Sequence, residues 1–158
     1  MDITKKIIGF LNENNVKFIV KEHAPTLTSV DSARERGEPM KIGAKALLVK
    51  DDTHFVLVVV PADRKLDTKK LKKVLNTRNL RFATREELFD LTGLVPGCVP
   101  PFGALMSLEM LVDCALFEEE FMAFNAGSLT LSVKMKTSDY KKIVNPKVEE
   151  ISDESSSC

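Results

Sequence analysis

Residues 42–63 read IGAKALLVKDDTHFVLVVVPAD, two Val- and Leu-rich runs separated by the polar turn Asp51-Asp52-Thr53. Two β-prone runs around a short polar break predict a β-hairpin. The second run, Phe55 to Val60, offers apolar side chains to both faces, so it belongs in the middle of a sheet covered on both sides. The first run carries Lys45 between Ala44 and Ala46. Strict alternation puts that ammonium on one face with Leu47 and Val49, opposite Leu48. Facing inward, it would need an anion or a cleft; facing outward, it is a solvated strand lysine.

Working outward, Ile3, Ile7, Ile8 and Leu11 recur at helical spacing and predict a first helix ending near Asn14-Asn15. VKFIVKEH, 16–23, reads as a strand stopped by Ala24-Pro25. Thr28 can cap a helix over SVDSARER, with Asp31 answering the cap and Gly37 ending it. On the other side, Asp67 can cap the basic helix TKKLKKVLN, and Leu80 to Ala83 is a short strand. Thr84 and Glu87 form a T-x-x-E capping box that opens a helix stopped by Gly93. ALMSLEMLVDCAL, 104–116, predicts one or two strands, MAFNAGSLTLSVKM a hairpin turning at Asn125 to Ser128, and TSDYKKIV a last helix. About six strands interleaved irregularly with four or five helices give a mixed α/β (α+β) fold, a curved mixed sheet or barrel-like core with surrounding helices. One domain over 1–151 is expected, with a polar, serine-rich, disordered tail over 152–158.

Lys plus Arg and Asp plus Glu both total 23, so the 158-residue chain has no global field directed at nucleic acid. Lys65, Lys69, Lys70, Lys72, Lys73, Arg78, Arg81 and Arg85 nevertheless form a basic run, either a path for a polyanion or a solvated helix face. Three cysteines without CxxC or Cys/His spacing support neither a disulfide framework nor a zinc site. With no apolar segment long enough for a signal or a span, a cytoplasmic protein without membrane contact, metal or cofactor is expected.

Residues 93–103, GLVPGCVPPFG, concentrate three glycines and three prolines. Prolines fix φ and lack N–H groups, whereas glycine lets a ligand approach the backbone, so this loop can aim its remaining amides at a carbonyl or phosphate. It can equally be a rigid connector. Cys98 is a candidate nucleophile by residue type, but nothing local predicts a lowered thiol pKa. His23, at a strand end, is either a base or a structural anchor, and His54 falls in a turn. No catalytic triad spacing, Walker loop or G-x-G-x-x-G is present.

EHAPTLTSVDSARERG, GAKALLV, GCVPPFG and FNAGS, in this order from about Val16 to Ile143, together resemble the YbaK/ProX family, aminoacyl-tRNA editing domains related to the insertion domain of bacterial prolyl-tRNA synthetase. The resemblance implies a trans-editing deacylase that hydrolyses the ester of a mischarged tRNA, carrying a small amino acid such as Ala or Cys on tRNA-Pro. Lys45 occupies the place of the family's strand lysine, implying a role at the phosphate or ribose of the terminal adenosine. Gly97 to Pro101 match the family's G-x-x-x-P loop, implying that backbone amides at Gly97 hold the scissile carbonyl. His23, Thr28, Ala46, Cys98, Val99, Pro100, Pro101, Phe121, Asn125, Gly127 and Ser128 are the implied substrate-binding positions. Phe121 stands where the alanine-specific branch has histidine, and Ala46 where some branches have Asn or Thr. Implied partners are the tRNA 3′ acceptor end and an aminoacyl-tRNA synthetase or elongation factor. A non-catalytic module that binds tRNA or a synthetase is the alternative.

Overall fold

The structure is a computed structural model that describes residues 2–26 and 28–153. Its elements in chain order are α1 (Ile3–Glu13), β1 (Phe18–Glu22), α2 (Ser29–Arg36), β2 (Ala44–Lys50), β3 (Phe55–Pro61), α3 (Thr68–Leu75), β4 (Arg81–Phe82), α4 (Arg85–Thr92), β5 (Glu109–Asp113), β6 (Phe121–Asn125), β7 (Leu131–Lys136), α5 (Thr137–Val144) and β8 (Lys147–Glu149). The hairpin forms as expected, with Lys45 opposite Val60 and Lys50 opposite Phe55. It is the heart of a five-stranded mixed sheet ordered β4-β2-β3-β5-β8, in which β3, β5 and β8 run parallel. β1, β7 and β6 form a second, antiparallel sheet. The bridge Gly43–Ala123 links the two, and the core is a pair of sheets rather than a closed barrel.

β3 is covered on both faces. Val56, Val58 and Val60 pack with Leu71 of α3 and with Ile151, while Leu57 packs against Leu48, Leu88 and Cys98. Between the sheets, Ile7 and Leu11 of α1 meet Phe102, Phe124 and Tyr140. Each of these buried large side chains contributes roughly 1.5–3 kcal/mol of hydrophobic stabilisation relative to an exposed one.

The helix ends follow local chemistry. Thr28 Oγ1 accepts from the Asp31 amide, Asp67 accepts from the Lys69 and Lys70 amides, and Thr84 with Glu87 makes a reciprocal capping box. Gly37 and Gly93 stop their helices with φ of 72° each, in the left-handed region. Asp31 does not reciprocate at Thr28; its carboxylate turns to Arg34 on the same helix face.

Three expectations are corrected. Within 104–116 only Glu109–Asp113 is extended, flanked by 3₁₀ turns at Gly103–Met106 and Cys114–Glu118. The buried Asp113 carboxylate ends that strand by accepting from the amides of Ala115, Ile151 and Ser152. Those same bonds draw Ser152 into the folded body, where it is fully buried and bridges to Leu66, while Asp153 accepts from the Lys65 amide. The tail expected from 152 therefore does not begin there, and 154–158 lie outside the described residues. Cys114 is disulfide-bonded, contrary to the expectation from spacing, whereas Cys98 is a free thiol. Among the described residues no helix is long and apolar enough to cross a membrane.

Candidate functional site

A cavity of about 210 Å³ opens beside the first half of β2. β4 pairs only with Val49 and Lys50, so among the described residues no strand covers the outer edge of Ala44 to Leu47. α2 and the segment before it form one wall, Gly97 and Val99 another, and Asn125 at the end of β6 a third.

Lys45 borders this cavity. Its Nζ donates to the carbonyl oxygen of Arg64 at 3.3 Å, and no carboxylate pairs with it among the described residues. The charge is thus held by a neutral acceptor and left available to an anion. Arg36, the last residue of α2, is a second cation at the same cavity. Its Nε donates to Ser132 Oγ at 2.8 Å and its Nη2 to Asn125 Oδ1 at 3.0 Å. Burial pushes the guanidinium down to about 10, partly opposed by the nearby Glu38 charge, so it stays protonated at neutral pH.

Asn125 ties this cation to the proline-rich loop, because its Nδ2 donates to Gly97 O at 2.7 Å. The loop's amides have distinct fates. That of Cys98 donates to Val95 O and that of Phe102 to Pro100 O, whereas those of Gly97 and Val99 have no partner among the described residues. Gly97 sits at φ 89°, a conformation that strongly favours glycine. Two free N–H groups therefore belong to residues that border the cavity. The opposite wall is hydroxylic: Ser32 Oγ donates to Thr26 Oγ1 at 2.9 Å, with Thr28 beside them. Among the described residues no Asp or Glu borders the cavity.

Of the residues singled out from the sequence, Thr28, Lys45, Ala46, Gly97, Val99 and Asn125 come together here. The others do not border the cavity. The Cys98 side chain points into the core with Leu48, Leu57 and Leu88, and burial pushes its thiol up. Pro100 and Pro101 are the buried part of the loop, where Pro101 O accepts from the buried Tyr140 hydroxyl at 2.6 Å. Phe121 opens β6 at the strand end far from Asn125, with Lys134 Nζ 4.9 Å from its ring centre. Gly127 packs against α1, and Ser128 Oγ closes its own turn by accepting from the Thr130 amide. His23 is one residue removed: Nδ1 donates to Ala24 O, and Nε2 lies 2.7 Å from Ser132 Oγ.

Thr26, Ser29, Ser32 and Arg36 border the cavity without being expected from the sequence. Ser29, Ser32 and Arg36 fall at i, i+3 and i+7, so the spacing that puts them on one helix face is visible in SVDSARER. Among the described residues no group of three or more His, Cys, Asp or Glu could hold a metal ion.

A family profile for the aminoacyl-tRNA editing domain matches residues 23–143, which takes in every wall of the cavity. The chain is 32% identical to the multifunctional Ser/Thr-tRNA deacylase ProXp-y of Escherichia coli (strain K12), covering 91% of this chain and 89% of that protein. It is 27% identical to the prolyl-tRNA editing protein ProX of Acetoanaerobium sticklandii, over 91% and 92% of the two chains. The crystal structure of a candidate trans-editing enzyme for prolyl tRNA synthetase superposes with a TM-score of 0.82 at 22% identity, covering 97% of this chain and 98% of that one, which shows the same fold. This chain belongs to the aminoacyl-tRNA editing domain family.

Proposed function

We propose that this protein hydrolyses the ester joining a small, preferentially hydroxylated amino acid to the 3′ end of a tRNA. The observation that carries the reading is the cavity itself: an ammonium and two loop amides, without carboxylate or acceptor partners respectively among the described residues, border one space of about 210 Å³. An ester is already activated, so the site must mainly position a water molecule and stabilise charge on the carbonyl oxygen. One well-aimed donor to that oxygen is worth roughly 3 kcal/mol.

In the proposed reaction a water oxygen bonds to the carbonyl carbon and the carbonyl electron pair moves onto oxygen, toward the Gly97 and Val99 amides. Collapse of this adduct breaks the bond to the ribose oxygen. The proton lost by water ends on that ribose oxygen, with the neighbouring ribose hydroxyl as the shuttle, so no protein triad is required. Lys45 holds the phosphate or ribose of the terminal adenosine, a task that suits a fixed positive charge.

Ala and Cys fit a small cavity, but the Thr26, Thr28 and Ser32 wall favours Ser or Thr on the tRNA. A site built to hydrogen-bond a substrate hydroxyl discriminates against analogues that lack it far better than an apolar pocket discriminates by size. The relative named as a Ser/Thr-tRNA deacylase supports the same choice.

The test is a deacylation panel of Ser-, Thr-, Ala- and Cys-charged tRNAs. Wild-type protein is expected to release Ser and Thr fastest, and Lys45→Ala to lose 100-fold or more in kcat/KM, about 2.7 kcal/mol of transition-state stabilisation. Survival of every charged tRNA would end the enzyme reading, and salt-sensitive tRNA binding without hydrolysis would select a binding module instead.

A further inference from the structure

We infer that Arg36 contacts the substrate, with its Nη1 edge donating to the ester carbonyl oxygen as that atom becomes an oxyanion. The inference rests on the deacylase reading and adds to it a residue outside the loop and strand motifs.

The guanidinium is held for such a task rather than neutralised. A partly buried arginine that serves only the fold normally faces a carboxylate, because an unpaired charge is costly away from water. Here both fixed contacts are neutral, Ser132 Oγ and Asn125 Oδ1, and no carboxylate lies within ion-pair distance among the described residues. They occupy Nε and Nη2, one side of the planar fork. Nη1 has no partner among the described residues and lies near Gly43, 3.6 Å from where a Cβ on that residue would stand. Gly43 borders the cavity.

The position along the wall selects the carbonyl rather than the nucleotide phosphate. Asn125 accepts from Arg36 and donates to Gly97 O, so one side chain fixes the guanidinium relative to the loop whose amides are free. Lys45 is anchored elsewhere, on Arg64 O. The two cations therefore divide the work, Lys45 at the nucleotide and Arg36 with the loop at the reacting carbonyl. Among the described residues no Asp or Glu borders the cavity, and Glu38, whose charge reaches Arg36, is held outside it by Lys134 Nζ at 2.7 Å. Such a preorganised charged donor costs no reorganisation when the carbonyl electron pair shifts onto oxygen.

The experiment measures kcat and KM of full-length Arg36→Gln and Arg36→Lys on the best tRNA substrate of the panel, and on the matching aminoacyl-adenosine ester, which lacks phosphate. Arg36→Gln is expected to lower kcat 10²- to 10³-fold on both substrates with KM within a few-fold, and Arg36→Lys to recover part of the loss. A rise in KM with kcat held, seen on tRNA and absent on the adenosine ester, would move Arg36 to a phosphate and overturn the assignment. Unchanged kinetics with a lowered melting temperature would make it purely structural. Should Arg36→Gln fail to fold, Ser132→Ala keeps the charge and frees one contact. Its kcat is expected to fall while KM holds, and an unchanged kcat in that folded variant would overturn the inference. Wild-type protein inactive on every substrate would instead mark failure of the deacylase reading.

Discussion

Buried against Leu48, Leu57 and Leu88, the Cys98 thiol loses the water that would solvate a thiolate, and burial pushes its pKa up. Cys98→Ser is therefore expected to leave kcat essentially unchanged while costing about 1–3 kcal/mol of stability, because a hydroxyl replaces a thiol in an apolar cluster. Deacylation kinetics and urea unfolding check the two halves, and loss of turnover in a folded Cys98→Ser protein would restore the thiol as nucleophile. The contrast with Arg36 shows what residues can reveal before they are folded. Lys45 and Gly97 stand out by charge and backbone and Asn125 by its hairpin turn, and it is the family resemblance that groups them; the fold brings all three to one cavity. Arg36 does not stand out, because nothing local in SVDSARER sets it apart from Arg34, and only the fold shows that it reaches Ser132 and Asn125. His23 poses the opposite problem. Its residue type suggests chemistry, but its ring reaches the site only through the Ser132 hydroxyl.

At the scale of elements, two contacts outside the cavity hold the frame. Gly127 has φ 83°, and an added Cβ would lie 2.3 Å from Ile3 Cγ2, so the turn between β6 and β7 fits under α1 only without a side chain. Gly127→Ala is expected to destabilise the protein by about 1–3 kcal/mol and to loosen α1, seen as faster amide exchange there, with kcat retained by the folded fraction. The turn between β2 and β3 is tied to β5 by His54, whose pKa is raised by its hydrogen bond to Glu109 and by the charges of Asp51 and Glu109. With the folded-state pKa above the unfolded one, this stabilisation is fully present below about pH 6.5 and is lost as pH rises through the raised native value. His54→Gln should flatten the part of the stability profile between slightly acid and slightly alkaline pH, measured by urea unfolding. An unaltered profile would remove His54 from the account. Elements whose ends carry their own chemistry are readable from sequence: Thr28, Asp67 and Thr84 start helices, and Gly37 and Gly93 stop them. β8 is not, since three residues with two charges have no periodicity, and its pairing with β5 is dictated by Leu111 to Asp113 far away in sequence.

For the molecule as a whole, a net charge of zero leaves the question of how a polyanion as large as tRNA would be held. One group of exposed cations lies along α3. Lys45 shares its sheet face with Leu47 and Val49, and α3 lies over that face through Leu71 and Val74. Along and beyond α3, Lys65, Lys69, Lys73 and Arg78 are exposed and form no ion pair among the described residues, while Lys70 and Arg81 are engaged by Glu150 and Glu87. On the proposed deacylase reading, the basic helix over the sheet face that carries Lys45 would hold the acceptor stem, with the 3′ end in the cavity. Lys69→Glu combined with Lys73→Glu is expected to raise KM for charged tRNA at least tenfold at low salt with kcat unchanged. The slope of log affinity against log salt should become shallower by about 0.7–0.9 for each phosphate that the variant no longer neutralises. The same variant should match wild type on aminoacyl-adenosine, which has no stem to hold. A salt slope identical to wild type would reduce these lysines to a solvated helix face and shift the burden of tRNA capture to a synthetase or elongation factor. In that case adding such a partner should lower KM for wild type and variant alike.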